Sequence, residues 1–198
     1  MRVTVEVGAN IGSDTARFAE EGIVYAFEPE PKLFGKLVEK FNGNDKVRLF
    51  EQAVDIDEND KTFYSSDLES GIGSLYHLHP ELVNSGAGIY ECYKQGFHNS
   101  YNVKCTRMDT FIEREGIQNI DMLWIDAQGN DLNVLKSFGD KLSIVQQGRC
   151  ECTNVVPLYE GIDNYYGDVA AFLLKNGFTV KVDYWHAHDT EVDLICWR

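Results

Sequence analysis

Glu6-Val7-Gly8-Ala9-Asn10-Ile11-Gly12 is the stretch on which the fold turns. It completes a strand-like run, Arg2 to Val7, and precedes a helical pattern, Ser13 to Glu20. Glycines in a strand-to-helix turn let a ligand approach the backbone, and the helix behind them offers free N–H groups. The next strand, Ile23 to Glu28, ends Tyr25-Ala26-Phe27-Glu28-Pro29, which sets a carboxylate 20 residues after Gly8. An acid at that place is positioned to accept both hydrogen bonds of a ribose diol. The glycine pattern is G-x-x-x-G, with Asn10 where a pyrophosphate would need a close-approach glycine. A nicotinamide oxidoreductase is therefore disfavoured, and a nucleoside without phosphates fits better. Glu6, at the strand end, suits a positive group such as an amine or a sulfonium.

Outward from this turn, strands alternate with helices. Pro31 opens a helix whose Leu33, Phe34, Leu37, Val38 and Phe41 recur at helical spacing. Val47 to Val54 is expected as a third strand. Met122 to Asp126 is expected as a buried strand, followed by a helix carrying Leu132, Leu135 and Phe138. Ser143 to Thr153 is strand-like, and Val169, Phe172 and Leu173 mark a helix that Gly177 ends. Phe178 to Tyr184 and Glu191 to Trp197 close the chain as strands. This alternation predicts an α/β fold, a mostly parallel sheet with helices on both faces. Ser66 to Asn102 is too long for an ordinary connection. It carries His77, His79, His98, Tyr76, Tyr90, Tyr93 and Tyr101, which favours an ordered acceptor-side lid or binding loop.

The chain has 198 residues, 43% of them hydrophobic, which predicts one domain over 1–198 with a sizeable core. Its net charge of −14 disfavours nucleic acid and anionic lipid as partners. No uncharged apolar run reaches the roughly 18 residues of a membrane span. Cys92, Cys105, Cys150, Cys152 and Cys196 fit no disulfide framework or zinc spacing. They are expected as reduced core or strand cysteines in a cytoplasmic setting.

VEVGANIGSDTARF, YAFEPEPKLFGKL, FEQAVDIDENDKTFYSSDLESGIGSL and RMDTFIEREGIQNIDMLWIDAQGNDLNVLK, in that order, resemble the FkbM-type S-adenosylmethionine-dependent methyltransferases over roughly residues 3 to 140. The resemblance implies a class I methyltransferase: a Rossmann-like, seven-stranded, mostly parallel sheet whose last strand is antiparallel. It also implies O-methylation of hydroxyls on sugars and polyketide-type products. Carried over by position, Glu6, Gly8, Ala9, Asn10 and Gly12 form the loop holding the methionine part of S-adenosylmethionine. Glu28, followed by Pro29, binds the ribose, and Gln52 and Ala53 flank the adenine. Ser74 stands near the pocket, and Asp126 near the methyl donor and acceptor. The family's K-I-D-x-E-G is replaced here by Trp124-Ile125-Asp126-Ala127-Gln128-Gly129. Loss of the lysine and the second acid counts against a mechanism that relies on either. The resemblance is also compatible with a domain cut from a longer polypeptide that carries glycosyltransferase domains.

A hydroxyl acceptor needs a base, and the candidates are Asp126, Glu151 and His186. Asp126 sits where such sheets bind ligands, although a helix N-cap is its plain alternative. Glu151 lies on the next strand. His186 shares strand parity with His188 in Trp185-His186-Ala187-His188-Asp189. Asp126 with Glu151 could take Mg²⁺, but nothing in the spacing demands it and metal independence is favoured. The aromatic and polar loop residues suit a sugar or glycan acceptor, a rhamnose-like deoxysugar for example. A different class is a non-catalytic glycan- or protein-binding module, with Trp124 and Gln128 marking lost chemistry. Intact Gly8, Asn10, Gly12 and Glu28 argue against it.

Overall fold

A computed structural model describes residues 1–68, 70–80, 96–154, 158–162, 164–185 and 191–198. The apolar first strand, β1 (Arg2–Val7), lies inside the sheet, between β2 (Gly22–Phe27) and β8 (Met122–Ile125), parallel to both. β3 (Val47–Phe50) extends the sheet beyond β2, and β9 (Gln147–Thr153) extends it beyond β8. β11 (Glu191–Trp197) runs antiparallel between β9 and β10 (Thr179–Trp185). The seven-stranded order is thus β3-β2-β1-β8-β9-β11-β10, with β11 running against the other six strands.

Alternation along β1 and β2 sorts the two faces. Val24 and Ala26 bury against Phe18 of α1 (Ser13–Glu21) and Leu37 of α2 (Pro31–Lys40). Val5, Val7, Tyr25 and Phe27 point the other way. They meet α3 (Met108–Glu115), α4 (Asp131–Ser137) and α5 (Tyr166–Lys175) in the main core. Phe111 of α3 meets Phe27 and Phe50 edge-on, each at 4.8 Å between centroids, and clamps β2 and β3 beneath the site. Truncating such a ring costs about 3–5 kcal/mol.

The expected third strand, Val47 to Val54, divides. Its first part stays in the sheet as β3, while β4 (Ala53–Val54) crosses to pair in parallel with β7 (Cys105–Thr106). Glu51-Gln52 interrupts the apolar run, and the Ala53 N–H donates to the Lys104 carbonyl at 2.9 Å. Strand-like Ser143 to Thr153 begins as a 3-10 turn, Gly139–Ile144, before β9. At the two ends of the long connection, β5 (Lys61–Ser65) and β6 (Asn99–Val103) form an antiparallel pair, with a 3-10 turn, Ser70–Ile72, between them in sequence. Tyr90 and Tyr93 lie outside the described residues. Cys105, Cys150, Cys152 and Cys196 are buried free thiols, and Cys92 lies outside the described residues. Among the described residues no helix is long and apolar enough to cross a membrane.

Candidate active site

The C-terminal ends of β1, β2 and β8 open on a cleft of about 650 Å³, counted to its open mouth. Such strand ends are where open α/β sheets take ligands. One wall is backbone. Gly8 adopts φ +88°, and a Cβ there would lie 2.0 Å from the Asp126 carbonyl oxygen. The Gly8 and Ala9 N–H groups both donate to the Phe27 carbonyl at 3.0 Å. Asn10, also left-handed at φ +50°, donates its N–H to Glu28 Oε2 at 2.7 Å. The Glu30 N–H donates to Glu28 Oε1 at 2.8 Å. The Glu28 carboxyl is thus gripped in one orientation by two backbone donors. Burial pushes its pKa up to about 7 despite them. Asn10 lines the cleft, and its buried Oδ1 has no hydrogen-bond partner among the described residues. Buried acceptors are normally satisfied, so this one calls for a ligand donor.

Pro29, Gln52, Ala53 and Asp126 also line the cleft. Glu6, Ala9, Gly12 and Ser74 stand behind its wall. Glu6 accepts a hydrogen bond from Thr15 Oγ1 at 2.6 Å, tying α1 to β1, and burial pushes its pKa up to about 8. Ala9 packs with Phe18 and Leu37. Gly12, at φ +72°, leaves room for Leu37 and Phe41, which a Cβ would meet at 2.6 and 2.7 Å. Ser74 Oγ donates to the Gln128 carbonyl at 2.7 Å, pinning a residue whose φ is +46°.

The opposite wall is made by side chains. Gln128 Nε2 donates to Asp126 Oδ1 at 2.6 Å and to Glu151 Oε2 at 2.8 Å. The Tyr159 O–H donates to Gln128 Oε1 at 2.7 Å and fixes which way the amide faces. Tyr159 closes over Gly129, where a Cβ would sit 2.6 Å from the ring. Asp131 Oδ1 accepts the Glu151 N–H at 3.1 Å, and Asn164 Nδ2 donates to the Glu151 carbonyl at 3.0 Å. Burial raises the pKa values of Asp126, Glu151 and Asp131 alike. Arg149 is ion-paired with Asp193, and its guanidinium lies 4.4 Å from the Trp124 ring centroid. Arg17 lies 5.0 Å from the same ring.

Asp126 and Glu151 are therefore brought together, joined by a glutamine amide. The N–H groups of that amide fill the space between the carboxylates where a bridging cation would sit. Among the described residues no group of three or more His, Cys, Asp or Glu side chains is arranged to hold a metal ion. His186 and His188 lie outside the described residues. His77 packs on the Tyr64 ring at 3.9 Å, and His98 Nδ1 bonds Ser66 Oγ at 3.1 Å. Both line a separate surface recess. Tyr159, Asn164 and Arg149 escaped the sequence reading. Tyr159 and Asn164 fall in an irregular stretch with no motif, and no local signal could have flagged them.

The strand order, the inserted antiparallel β11 and the cleft at the strand ends define a class I methyltransferase fold. Residues 6–180 match the methyltransferase FkbM domain, and the chain belongs to that family. A curated relative, the 2-O-methyltransferase NoeI of Sinorhizobium fredii, is 26% identical over 144 residues. That match covers 71% of this chain and 59% of the relative, so the chain spans less than two thirds of its length. The fold is shared with the methyltransferase FkbM of Methylobacillus flagellatus, at TM-score 0.60 and 10% identity, covering 99% of this chain and 43% of that one. It is also shared with the magnesium protoporphyrin IX methyltransferase of Synechocystis with bound SAM, at TM-score 0.52 and 12% identity. That likeness covers 98% of this chain and 69% of the other.

Proposed function

We propose that this chain transfers a methyl group from S-adenosylmethionine to a hydroxyl of a sugar or glycan. The observation that carries the reading is the Gly8–Asn10–Glu28 cradle placed directly against Asp126. Glu28, held by two backbone donors, keeps lone pairs for the ribose diol. Asn10 Oδ1 awaits a donor from the methionine end, and Pro29, Gln52 and Ala53 wall the adenine recess. Glu6, Gly12 and Ser74 shape the wall from behind. S-adenosylmethionine supplies an activated methyl, so the protein's work is orientation and removal of the acceptor proton. Asp126 is the group placed to take that proton. The relative NoeI, a 2-O-methyltransferase, supports a hydroxyl acceptor.

Incubation with methyl-labelled S-adenosylmethionine and a panel of sugars and oligosaccharides tests the reading. Label in a hydroxyl-bearing sugar, absent for Asp126→Asn, is the expected result. Calorimetry with both S-adenosylmethionine and S-adenosylhomocysteine separates the binding-module alternative. A folded protein that gives no heat with either ligand is not this enzyme.

A further inference from the structure

Asp126, Gln128 and Glu151 form a buried unit with more acid than base around it. Asp126 itself follows the end of β8, and from β9 come Glu151 and Arg149. β11 adds Asp193 and Glu191, α4 adds Asp131, and the end of β2 adds Glu28. Tyr159 closes the top through Gln128. Arg149 is the cation here, and it is ion-paired with Asp193. What joins the two carboxyls is a neutral amide, 2.6 and 2.8 Å from their oxygens. Both carboxyls are held by one amide nitrogen, and buried carboxyls that share a site in this way disfavour each other's ionisation. Asp126 and Gln128 line the cleft, whereas Glu151 stands behind it and is joined to it through Gln128.

We infer that Asp126 and Glu151 share one proton in the free protein, lose it when a sulfonium donor is bound, and regain it from the acceptor hydroxyl. The inference rests on the proposed donor. Its balance closes. The acceptor O–H bond breaks and an O–CH₃ bond forms. The S–CH₃ bond breaks, and its electron pair stays on sulfur. The proton goes to the Asp126–Glu151 pair. A cation and a fully ionised pair give way to a neutral thioether and a pair that holds one proton, so the fully ionised pair exists only beside the cation. Burial, which raises both carboxyls, supports a protonated resting pair. Like charges at this separation do not ionise together without a compensating cation. Tyr159 and Gln128 are positioning residues: they hold the two acids around one amide.

Calorimetric titration of S-adenosylmethionine and S-adenosylhomocysteine at pH 7, in buffers of different ionisation enthalpy, counts the protons released. The two ligands share adenosine and amino acid, so contributions from Glu28 cancel in the difference. The sulfonium ligand is expected to release roughly one proton more than the thioether. Asp126→Asn and Glu151→Gln, shown folded by circular dichroism, should each abolish that difference. Equal proton release for the two ligands in the unaltered protein overturns the inference and spares the proposed function. A difference that survives in either variant overturns the sharing of one proton by the pair. Absence of binding by either ligand overturns both.

Discussion

The two walls of the cleft are built from different materials. Between Gly8 and Glu30, main-chain N–H groups do the holding: they grip the Phe27 carbonyl and both oxygens of Glu28. Between Asp126 and Tyr159, side chains hold side chains: tyrosine orients glutamine, and glutamine spans two acids. The backbone wall is local in sequence and rigid by geometry. The side-chain wall is assembled from β8, β9, α4 and the segment that carries Tyr159 and Asn164. The first suits a constant ligand, and the second suits a proton that comes and goes.

The largest effect expected is at the side-chain wall. Asp126→Asn should lower kcat by about 10²–10⁴-fold, the usual worth of a placed base, with S-adenosylhomocysteine affinity nearly unchanged. Turnover and calorimetry on the same preparation check this, and a comparable loss in both would blur the division between the walls. Gly8→Ala should do the reverse. Its methyl would collide with the Asp126 carbonyl at 2.0 Å, and the left-handed backbone adds about 1–3 kcal/mol of strain. Thioether affinity should fall about 100-fold, with a lower melting temperature. Glu28→Ala removes a charged acceptor worth about 1.5–3 kcal/mol, an affinity loss of roughly 10- to 100-fold for donor and product alike. Unaltered affinity would mean that Glu28 serves only Asn10 and Glu30. Tyr159→Phe keeps the ring over Gly129 and removes one hydrogen bond. An effect of about 1 kcal/mol, near fivefold, is expected on kcat alone.

Stability against pH is a separate readout of the buried acids. Glu28 and Glu6 titrate ordinarily at 4.5 but near 7 and 8 in the fold, so the folded chain binds more protons between those values. Stability from these two groups therefore falls as pH rises from 4.5 and levels off above 8. Melting curves at several pH values should show the decline, and Glu28→Gln should flatten its lower half.

How far the sequence could be read follows the same division. Gly8, Asn10 and Glu28 were legible because backbone sites need particular residues at fixed spacing: a glycine where φ is +88° and an acid at the next strand end. β1, β2, α1, α2 and β11 emerged within a residue or two, since each carries one clear periodicity. The third strand was misread because apolar Val47 to Val54 conceals a change of partner at Glu51-Gln52, which only Lys104 and Cys105 determine. Asp126 and Glu151 could be named and set side by side, but the amide that joins them could not. That joining depends on Gln128, which looks from sequence like a lost acid, and on Tyr159, 31 residues further on. Side-chain networks of this kind leave no spacing to find.

Trp124 occupies the position of the family's lysine and carries two guanidinium groups over its ring, Arg17 and Arg149. Indole emission shifts with the electric field across the ring. Arg149 couples that ring to Asp193 and to Glu151 on β9, and Asp126 follows two residues after Trp124. The residue in the lysine's place is thus an intrinsic fluorophore beside the reacting centre. With Trp185 and Trp197 replaced by phenylalanine, its colour should track the charge of that centre, turning a substitution that looks like lost chemistry into an optical gauge of it.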